Sequence, residues 1–328
     1  MQSPQEVQQV VGQLGASVWA FNALRAAQES GLLALLSEPR DLAWLAERTG
    51  IVPDLLATLL DVLAAVGLVG RDGDRFTAAP GLAPLLGGIP GAQFRENLRS
   101  VGTQTLALVT DAQAGTLAPG WRHTDPEALQ AQGLATAPVF RLLASTVFPQ
   151  LAGLTERLQA PGGRFLDVGA GVGAVALVLC AIYPQLQIVG LEPQELPRQL
   201  AARNLAAAGL TERVEMRAQL IQDLPDEAAF DLAWLPQVFL PREVFVAGLV
   251  TTLAALRPGG WLLTVTLSLP GTGLGPAVSR LNNVLFGGPP LLPEQVADQI
   301  RTAGFDEVQI FPGPPATPLN FIVGRRTP

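Results

Sequence analysis

The chain is predicted to be an α/β protein, an open, doubly wound sheet preceded by a mainly helical N-terminal region. Three observations predict this. Residues 165–174 read Phe-Leu-Asp-Val-Gly-Ala-Gly-Val-Gly-Ala: an apolar run ends near Asp167, Gly169, Gly171 and Gly173 follow at alternate positions, and Val-Ala-Leu-Val-Leu-Cys-Ala-Ile-Tyr then has the character of a buried helix. Strand, glycine turn, helix is how an open α/β sheet offers bare backbone N–H groups and a helix N-terminus to a ligand. Short apolar strands recur downstream at 188–192, 230–235, 261–265 and 319–326. Residues 14–70, by contrast, carry helical spacing.

In that N-terminal region Val18, Trp19, Phe21, Leu24 and Ala27 fall at helical intervals, and Gly31 marks a break. Asp41 to Gly50 reads as a short helix with an Asp cap at its start and a Gly at its end. Pro53 opens a second helix to about Val66, and residues 67–77 look like a small β-wing. Two helices and a wing predict a winged helix, whose obvious reading is DNA binding. The helix that would enter a major groove contains Asp54 and Asp61, no Arg, and otherwise mostly Leu, Ala and Val. A recognition helix needs donors for bases and cations for phosphates. This one is built to be buried.

Residues 85–160 connect the two halves. Gly87, Gly88, Pro90 and Gly91 read as a loop. Phe140, Leu143, Val147, Phe148 and Leu151 form a helical apolar stripe, readable either as a pocket wall or as ordinary packing. Gln159-Ala160-Pro161-Gly162-Gly163 makes a natural entry to the α/β region.

The glycine turn satisfies two fingerprints. Gly169, Gly171 and Ala174 fit the G-x-G-x-x-G/A pattern of dinucleotide binding, with Glu192 about 20 residues on. The other reading is Asp-x-Gly-x-Gly-x-Gly, and here the sequence resembles the class I S-adenosylmethionine (SAM) methyltransferases, whose first motif is this string and whose second is an acidic residue ending the next strand. Glu192, followed by Pro193, fits that second motif, where a carboxylate accepts from both ribose hydroxyls. Asp167 lies where a pyrophosphate would pass, a poor electrostatic match, whereas SAM carries a sulfonium and an ammonium and no phosphate. Leu256-Arg257-Pro258-Gly259-Gly260 before an apolar strand is a further recurrent signature of the family.

The resemblance extends over nearly the whole chain to the small-molecule O-methyltransferases of plants and bacterial secondary metabolism. It implies a winged-helix dimerisation domain over 1–85, a helical linker and acceptor-pocket region over 86–160, and a SAM-binding domain over 161–328 with a seven-stranded sheet whose last strand is antiparallel. It also implies a homodimer, with SAM held by Asp167, Gly169, Gly171, Gly173, Glu192 and Pro193. Residues 280–288, 293–295 and 303–305 match the region between the fifth strand and the sixth.

Two departures stand out. Such relatives carry a His base shortly after the fourth strand, and Leu240 or its neighbour occupies that place here. They also carry an acid after the third strand that accepts from the adenine amino group. Leu220 stands there, leaving Gln219 as an amide acceptor and packing to hold the base. Asp231, heading the fourth strand, is generally structural in the family. The remaining catalytic candidates are His123, the only histidine, which also reads as a solvated loop residue, and Gln237 and Arg242 near the mouth of the sheet.

Bulk properties narrow the function class. The 328 residues carry a net charge of −7, against a nucleic-acid partner, and all 21 cations are Arg. No apolar run reaches the ~18 residues of a membrane span, and no secretory signal is apparent. Cys180, the single cysteine, reads as a buried thiol. No metal site is expected. The expectation is a cytoplasmic SAM-dependent methyltransferase acting on a small molecule without the usual histidine base, by C- or N-methylation or substrate-assisted O-methylation. The alternatives are a SAM-binding relative that catalyses hydroxylation, decarboxylation or cyclisation, and a silent dimeric homologue.

Overall fold

The structure, a computed structural model, describes residues 3–314 and 317–327. It forms two compact units, residues 1–107 and 108–328.

The first unit begins with α1 (Pro4–Glu29), longer at its start than the apolar spacing suggests because Ser3 and Glu6 form a capping box. Helix α2 (Leu32–Leu35), strand β1 (Arg40–Asp41) and helix α3 (Leu42–Thr49) follow. Asp41 caps α3 by accepting from the Trp44 N–H at 2.8 Å, as the sequence suggests. Helix α4 (Pro53–Ala65) precedes a hairpin of β2 (Val69–Asp72) and β3 (Arg75–Ala78), with β1 on the other side of β3. This is the element order of a winged helix. Leu56, Leu60 and Leu63 of α4 pack with Leu32, Leu45 and Phe76 in the core of the unit, while Leu55 and Val62 remain exposed. Only one face of α4 is therefore buried within this chain.

Helix α5 (Gly88–Ala114) contains the boundary between the units. The expected loop at 87–91 is thereby corrected from Gly88 onward. The Gly91 N–H donates to the Gly87 carbonyl at 3.0 Å, and Pro90 lies in the first turn, where its missing N–H has no intrahelical partner to lose.

The second unit contains α6 (Pro126–Thr146), α7 (Leu154–Gln159), β4 (Arg164–Val168), α8 (Ala174–Ile182), β5 (Gln187–Leu191), α9 (Glu195–Ala207), β6 (Val214–Arg217), β7 (Phe230–Trp234), α10 (Arg242–Ala255), β8 (Leu256–Leu267), α11 (Leu274–Phe286), α12 (Pro293–Thr302), β9 (Asp306–Pro312) and β10 (Leu319–Arg325). The strands form one seven-stranded sheet in the order β6-β5-β4-β7-β8-β10-β9. The first five are mutually parallel, and β10 runs antiparallel to both β8 and β9. Phe165 of β4 joins the core on one face of the sheet and Leu166 the core on the other, so the strand is apolar throughout. The Phe140–Leu151 stripe belongs to the first of these cores, with Phe140 edge-on to Trp234 at 5.1 Å. Strand β8 starts at Leu256, earlier than expected. It absorbs the Arg-Pro-Gly-Gly segment through a register shift opposite Phe230–Leu232, with Gly259 at φ 76°.

Asp231 anchors the sheet at the end opposite the site. Its buried carboxylate accepts from Arg257 Nη1 at 2.7 Å, from the Arg164 N–H at 2.9 Å and from Arg157 at 3.4 Å. Removing one of these donors would leave the buried carboxylate less well compensated.

The strand order reverses at β4, whose neighbours β5 and β7 lead the chain away on opposite sides. Ligands of open α/β sheets bind outside the strand C-termini at such a switch point. Asp167 and the glycine turn sit there.

Candidate functional site

The site starts with backbone. Gly169, Gly171 and Gly173 adopt φ of 72°, 54° and 77°, a left-handed conformation that L side chains rarely take. Their alternation folds residues 169–173 tightly between β4 and α8. The Gly169 and Ala170 N–H groups both donate to the Leu191 carbonyl, at 2.8 and 3.0 Å, fastening the turn to the tip of β5. The Gly171 N–H donates to Glu192 Oε2 at 3.0 Å, and the Gln194 N–H to Oε1 at 2.9 Å. Arg198 of α9 donates to the carbonyls of Glu192 and Pro193 at 2.9 and 2.8 Å. Glu192 is thus oriented from both sides before any ligand arrives.

Asp167 is the opposite case. It is 1% exposed, and neither carboxylate oxygen has a hydrogen-bond partner. Burial, aided by the nearby Glu192 charge, pushes its pKa up to about 7. Burial also raises Glu192, against the lowering effect of its two backbone bonds and of Arg198. A buried, unpartnered carboxylate is costly unless a cation meets it.

These groups open into a cleft of about 1200 Å³, including solvent at its mouth. Across the strand tips the cleft runs from Gln219, Leu220, Ile221 and Gln222 after β6, past Glu192 after β5 and Asp167 on β4, to Trp234, Pro236, Phe239 and Leu240 at the tip of β7. Leu129, Gln132, Gly133 and Thr136 of α6 line the cleft beside the glycine turn, and Trp121 of the preceding loop lines it next to Phe239. Trp121 packs edge-on against Phe239 at 5.5 Å and Phe286 at 5.6 Å. Gly133 lets α6 come close to the glycine turn, for a Cβ there would collide with Val172 and lie 3.2 Å from the Ala174 Cβ. Asn204 of α9 reinforces the contact by donating to the Val172 carbonyl at 2.9 Å while pairing with Gln130 of α6.

Among the residues singled out in the sequence, Asp167, Gly169, Gly171, Glu192, Pro193, Gln219 and Leu220 line the cleft. Gly173 caps α8, and a Cβ added there would lie 3.4 Å from the Ala201 Cβ. Leu240 lies in the wall. His123, Gln237 and Arg242 are not part of the lining. His123 packs edge-on against Trp121 at 4.4 Å, a residue of the cleft wall, and burial holds its pKa below the usual histidine value. Gln237 is fully buried, and its amide donates to the Pro289 carbonyl at 2.9 Å. Arg242 is exposed at the start of α10.

The sequence reading missed Trp121, Gln132, Gly133 and Thr136. Leu129, Gln132, Gly133 and Thr136 are spaced i, i+3, i+4 and i+7, one face of a helix, so a signal was present. The larger apolar stripe that follows on the same helix masked it.

The residues fit SAM on observations of the chain itself. Two orphaned carboxylate oxygens await a cation, and a second carboxylate, its outer lone pairs remaining, stands one strand away for a vicinal diol. The comparisons agree. Residues 165–260 match the family model described as a methyltransferase domain. The chain is 29% identical over 323 residues to a 3-hydroxy-5-methyl-1-naphthoate 3-O-methyltransferase of Streptomyces sahachiroi, covering 90% of this chain and 89% of the relative. It is 28% identical to the demethylspheroidene O-methyltransferase of Rhodobacter capsulatus, covering 80% and 68%. Its fold matches the apo crystal structure of the S-adenosylmethionine-dependent methyltransferase SibL at a TM-score of 0.70 and 23% identity, over 98% of this chain and 99% of that one. The acidic glycine turn, the strand-tip carboxylates and this likeness together identify a SAM-dependent methyltransferase, with a methyltransferase domain over residues 165–260.

Proposed function

We propose that the enzyme methylates a small, largely apolar and aromatic acceptor of the secondary-metabolite kind, without a side-chain base of its own. The observation that carries this is the chemistry of the cleft wall beyond Asp167: Trp121, Leu129, Gln132, Thr136, Trp234, Phe239, Leu240 and Val244 include no ionisable group. SAM, when bound, supplies an electrophilic methyl on a sulfonium. Asp167 holds the cationic end of the cofactor, Glu192 the ribose diol, and the bare backbone of the glycine turn lets both approach. The aromatic wall excludes water and presents flat surfaces, so the protein contributes positioning and desolvation. The acceptor's proton must then leave without help from an enzyme carboxylate or imidazole. This suits a carbon or nitrogen nucleophile, or an oxygen that is acidic enough to ionise alone or that a neighbouring group of the acceptor deprotonates. The named relatives are methyltransferases of a 3-hydroxy-5-methyl-1-naphthoate and of demethylspheroidene, both small molecules.

The reading includes a cytoplasmic homodimer formed through residues 1–85, with 86–160 contributing to acceptor binding and 161–328 holding the cofactor. Val7, Val11, Leu14 and Val18 lie along one side of α1 and are all exposed, as is Trp19 at 79%. Contiguous apolar surface of this kind marks an interaction site. Among the described residues no helix is long and apolar enough to cross a membrane.

The test is incubation with methyl-labelled SAM and a panel of hydroxynaphthoates, phenols, amines and enolisable ketones. Labelled product is expected, and the rate should follow the ionisation of each acceptor instead of one enzyme pKa common to all. Label confined to SAM across the panel would overturn the reading. The absent base also favours a second reading, in which bound SAM assists a hydroxylation, decarboxylation or cyclisation. An acceptor consumed without incorporation of label would support that one.

A further inference from the structure

We propose that the enzyme takes its acceptor without a free carboxylate on the ring that is methylated, so that an acid is a substrate only once masked as an ester, thioester or amide. The inference rests on the reading of the cleft as an aromatic acceptor site and deepens it to a substrate class.

Charge in the cleft has one sign. Among the described residues that line it, the ionisable side chains are Asp167 and Glu192, and no arginine or histidine joins them. The cations that follow or precede the lining residues in the chain lie outside it. Arg198 donates to the carbonyls of Glu192 and Pro193, Arg122 donates to the Thr116 carbonyl at 3.0 Å, and Arg242 is exposed at the start of α10. SAM brings a sulfonium, an ammonium and a carboxylate. Set against two protein carboxylates, this leaves the loaded cleft with an excess of negative charge.

Neutral donors do not make up the deficit. The glycine turn has the form of an anion-binding nest, yet its N–H groups are used within the protein: Gly169 and Ala170 donate to Leu191, Gly171 to Glu192 and Gly173 to Ala170. The Thr136 hydroxyl donates to the Gln132 carbonyl at 2.9 Å. Beside Asp167, in register on the neighbouring strand, stands Trp234, buried and aromatic, and Phe239 and Leu240 continue that wall. A carboxylate brought here exchanges water for an apolar surface and two like charges, with no partner.

The nucleophile itself escapes this cost. A phenolate has the sulfonium as its partner: its oxygen bonds to the methyl, the sulfur keeps the electron pair of the bond that breaks, and both charges vanish. A second negative charge on the same ring is answered by nothing, before transfer or after it. Substituents far from the nucleophile can reach the water at the cleft mouth, so the exclusion holds for the ring beside the methyl. The reaction that supplies the acceptor is then one that removes an acid: ester, thioester or amide formation, or decarboxylation.

The experiment is calorimetric titration of the enzyme saturated with sinefungin, whose ammonium stands in for the sulfonium charge, with 3-hydroxy-1-naphthoic acid and with its methyl ester at pH 7.5, where the acid is ionised. Binding is read in place of rate because esterification also alters the ionisation of the hydroxyl. The ester is expected to bind at least tenfold more tightly than the acid. A smaller preference, or none, overturns the proposal. Failure of both compounds to bind would overturn the aromatic-acceptor reading, and failure of sinefungin the cofactor assignment, which keeps the failures apart. In L240R, a cation on the cleft wall should cut the preference for the ester at least tenfold. L240Q, polar but neutral, should keep the wild-type ratio. Leu240 is only partly buried, so folding should tolerate both changes. An unchanged ratio in L240R, with circular dichroism and melting temperature matching wild type, also counts against the proposal.

Discussion

The cofactor half of the cleft places two buried carboxylates, Asp167 and Glu192, on adjacent strand tips, whereas the half formed by Trp121, Trp234, Phe239 and Leu240 carries no ionisable side chain. The difference shows where the molecule holds charge in readiness and where it does not. In the first half, electrostatic cost is incurred in the folded chain: Asp167 is desolvated, unpartnered and raised in pKa, and a proton or a cationic ligand relieves it. In the second half little polar surface waits for a partner, and affinity must come from apolar contact.

The largest effect should come from breaking the charged half. D167N is expected to weaken binding of S-adenosylhomocysteine by about 30- to 100-fold, the loss of one charge-assisted contact. The same change should stabilise the ligand-free protein at pH 8. A carboxyl whose folded pKa is raised from near 4 to about 7 destabilises the fold progressively as pH rises between those values, and at pH 8 the cost is fully present. The amide has no such cost, so a gain on the order of 1–4 kcal/mol in unfolding free energy is expected at pH 8 and little at pH 4. Calorimetric titration and thermal unfolding check the two halves of the statement. Undiminished affinity in D167N would remove Asp167 from the site.

A pH series on the wild type sharpens the same point with a smaller effect. The ionised form of Asp167 is the one that meets a cation, so affinity should fall as pH drops below about 7, by ~30-fold between pH 7.5 and 5.5. Binding near neutrality should release a proton, seen as a dependence of the apparent binding enthalpy on the buffer's ionisation heat. Both signatures should vanish in D167N.

Where α6 meets the glycine turn, the two halves touch. G133A would force a Cβ against Val172 and Ala174 and displace α6. Overpacking of this kind costs ~1–3 kcal/mol of stability. Methyl transfer should fall about tenfold in kcat/KM, since small misplacements of reacting groups cost one to two orders of magnitude. Full activity with an unshifted melting temperature would mean that α6 is free to move away from the turn.

The same contrast explains what was legible in the sequence. The cofactor half is built from neighbours in sequence: Asp167 and three alternate glycines must occupy consecutive positions for the turn to form, and Glu192 follows at the end of the next strand. Local geometry dictates local residue types, and the string shows it. The other half is assembled from a loop at 121, one face of α6 at 129–136 and the β7 tip at 234–244. No local constraint links those segments, so only the fold reveals that they share a wall. Loop and helix at 87–91 were confused for a different reason: glycine and proline break helix interiors but are tolerated in a first turn, and the sequence does not state which of the two it is. The early start of β8 was hidden likewise, because a bulge at Gly259 keeps a Pro-Gly-Gly segment inside a strand.

The smallest effect tests the uncharged half most directly. His123 is the one imidazole in the chain, and its ring faces Trp121 at 4.4 Å with an interplanar angle of 64°. Trp121 lines the cleft, whereas His123 itself is not part of the lining. Burial lowers its pKa, so near neutral pH it is the uncharged form that would have to act as a base, through or around an indole ring. A group so placed supports the wall and does not reach a substrate proton. H123A should retain kcat within about threefold and leave the pH–rate profile unshifted, whereas loss of a true general base costs ~10²–10⁴-fold and removes one limb of the profile. H123F, which preserves ring packing on Trp121, should restore whatever H123A loses. A hundredfold fall in both variants, with a vanished ionisation, would make His123 the base and show that the cleft rearranges around Trp121 when the acceptor binds.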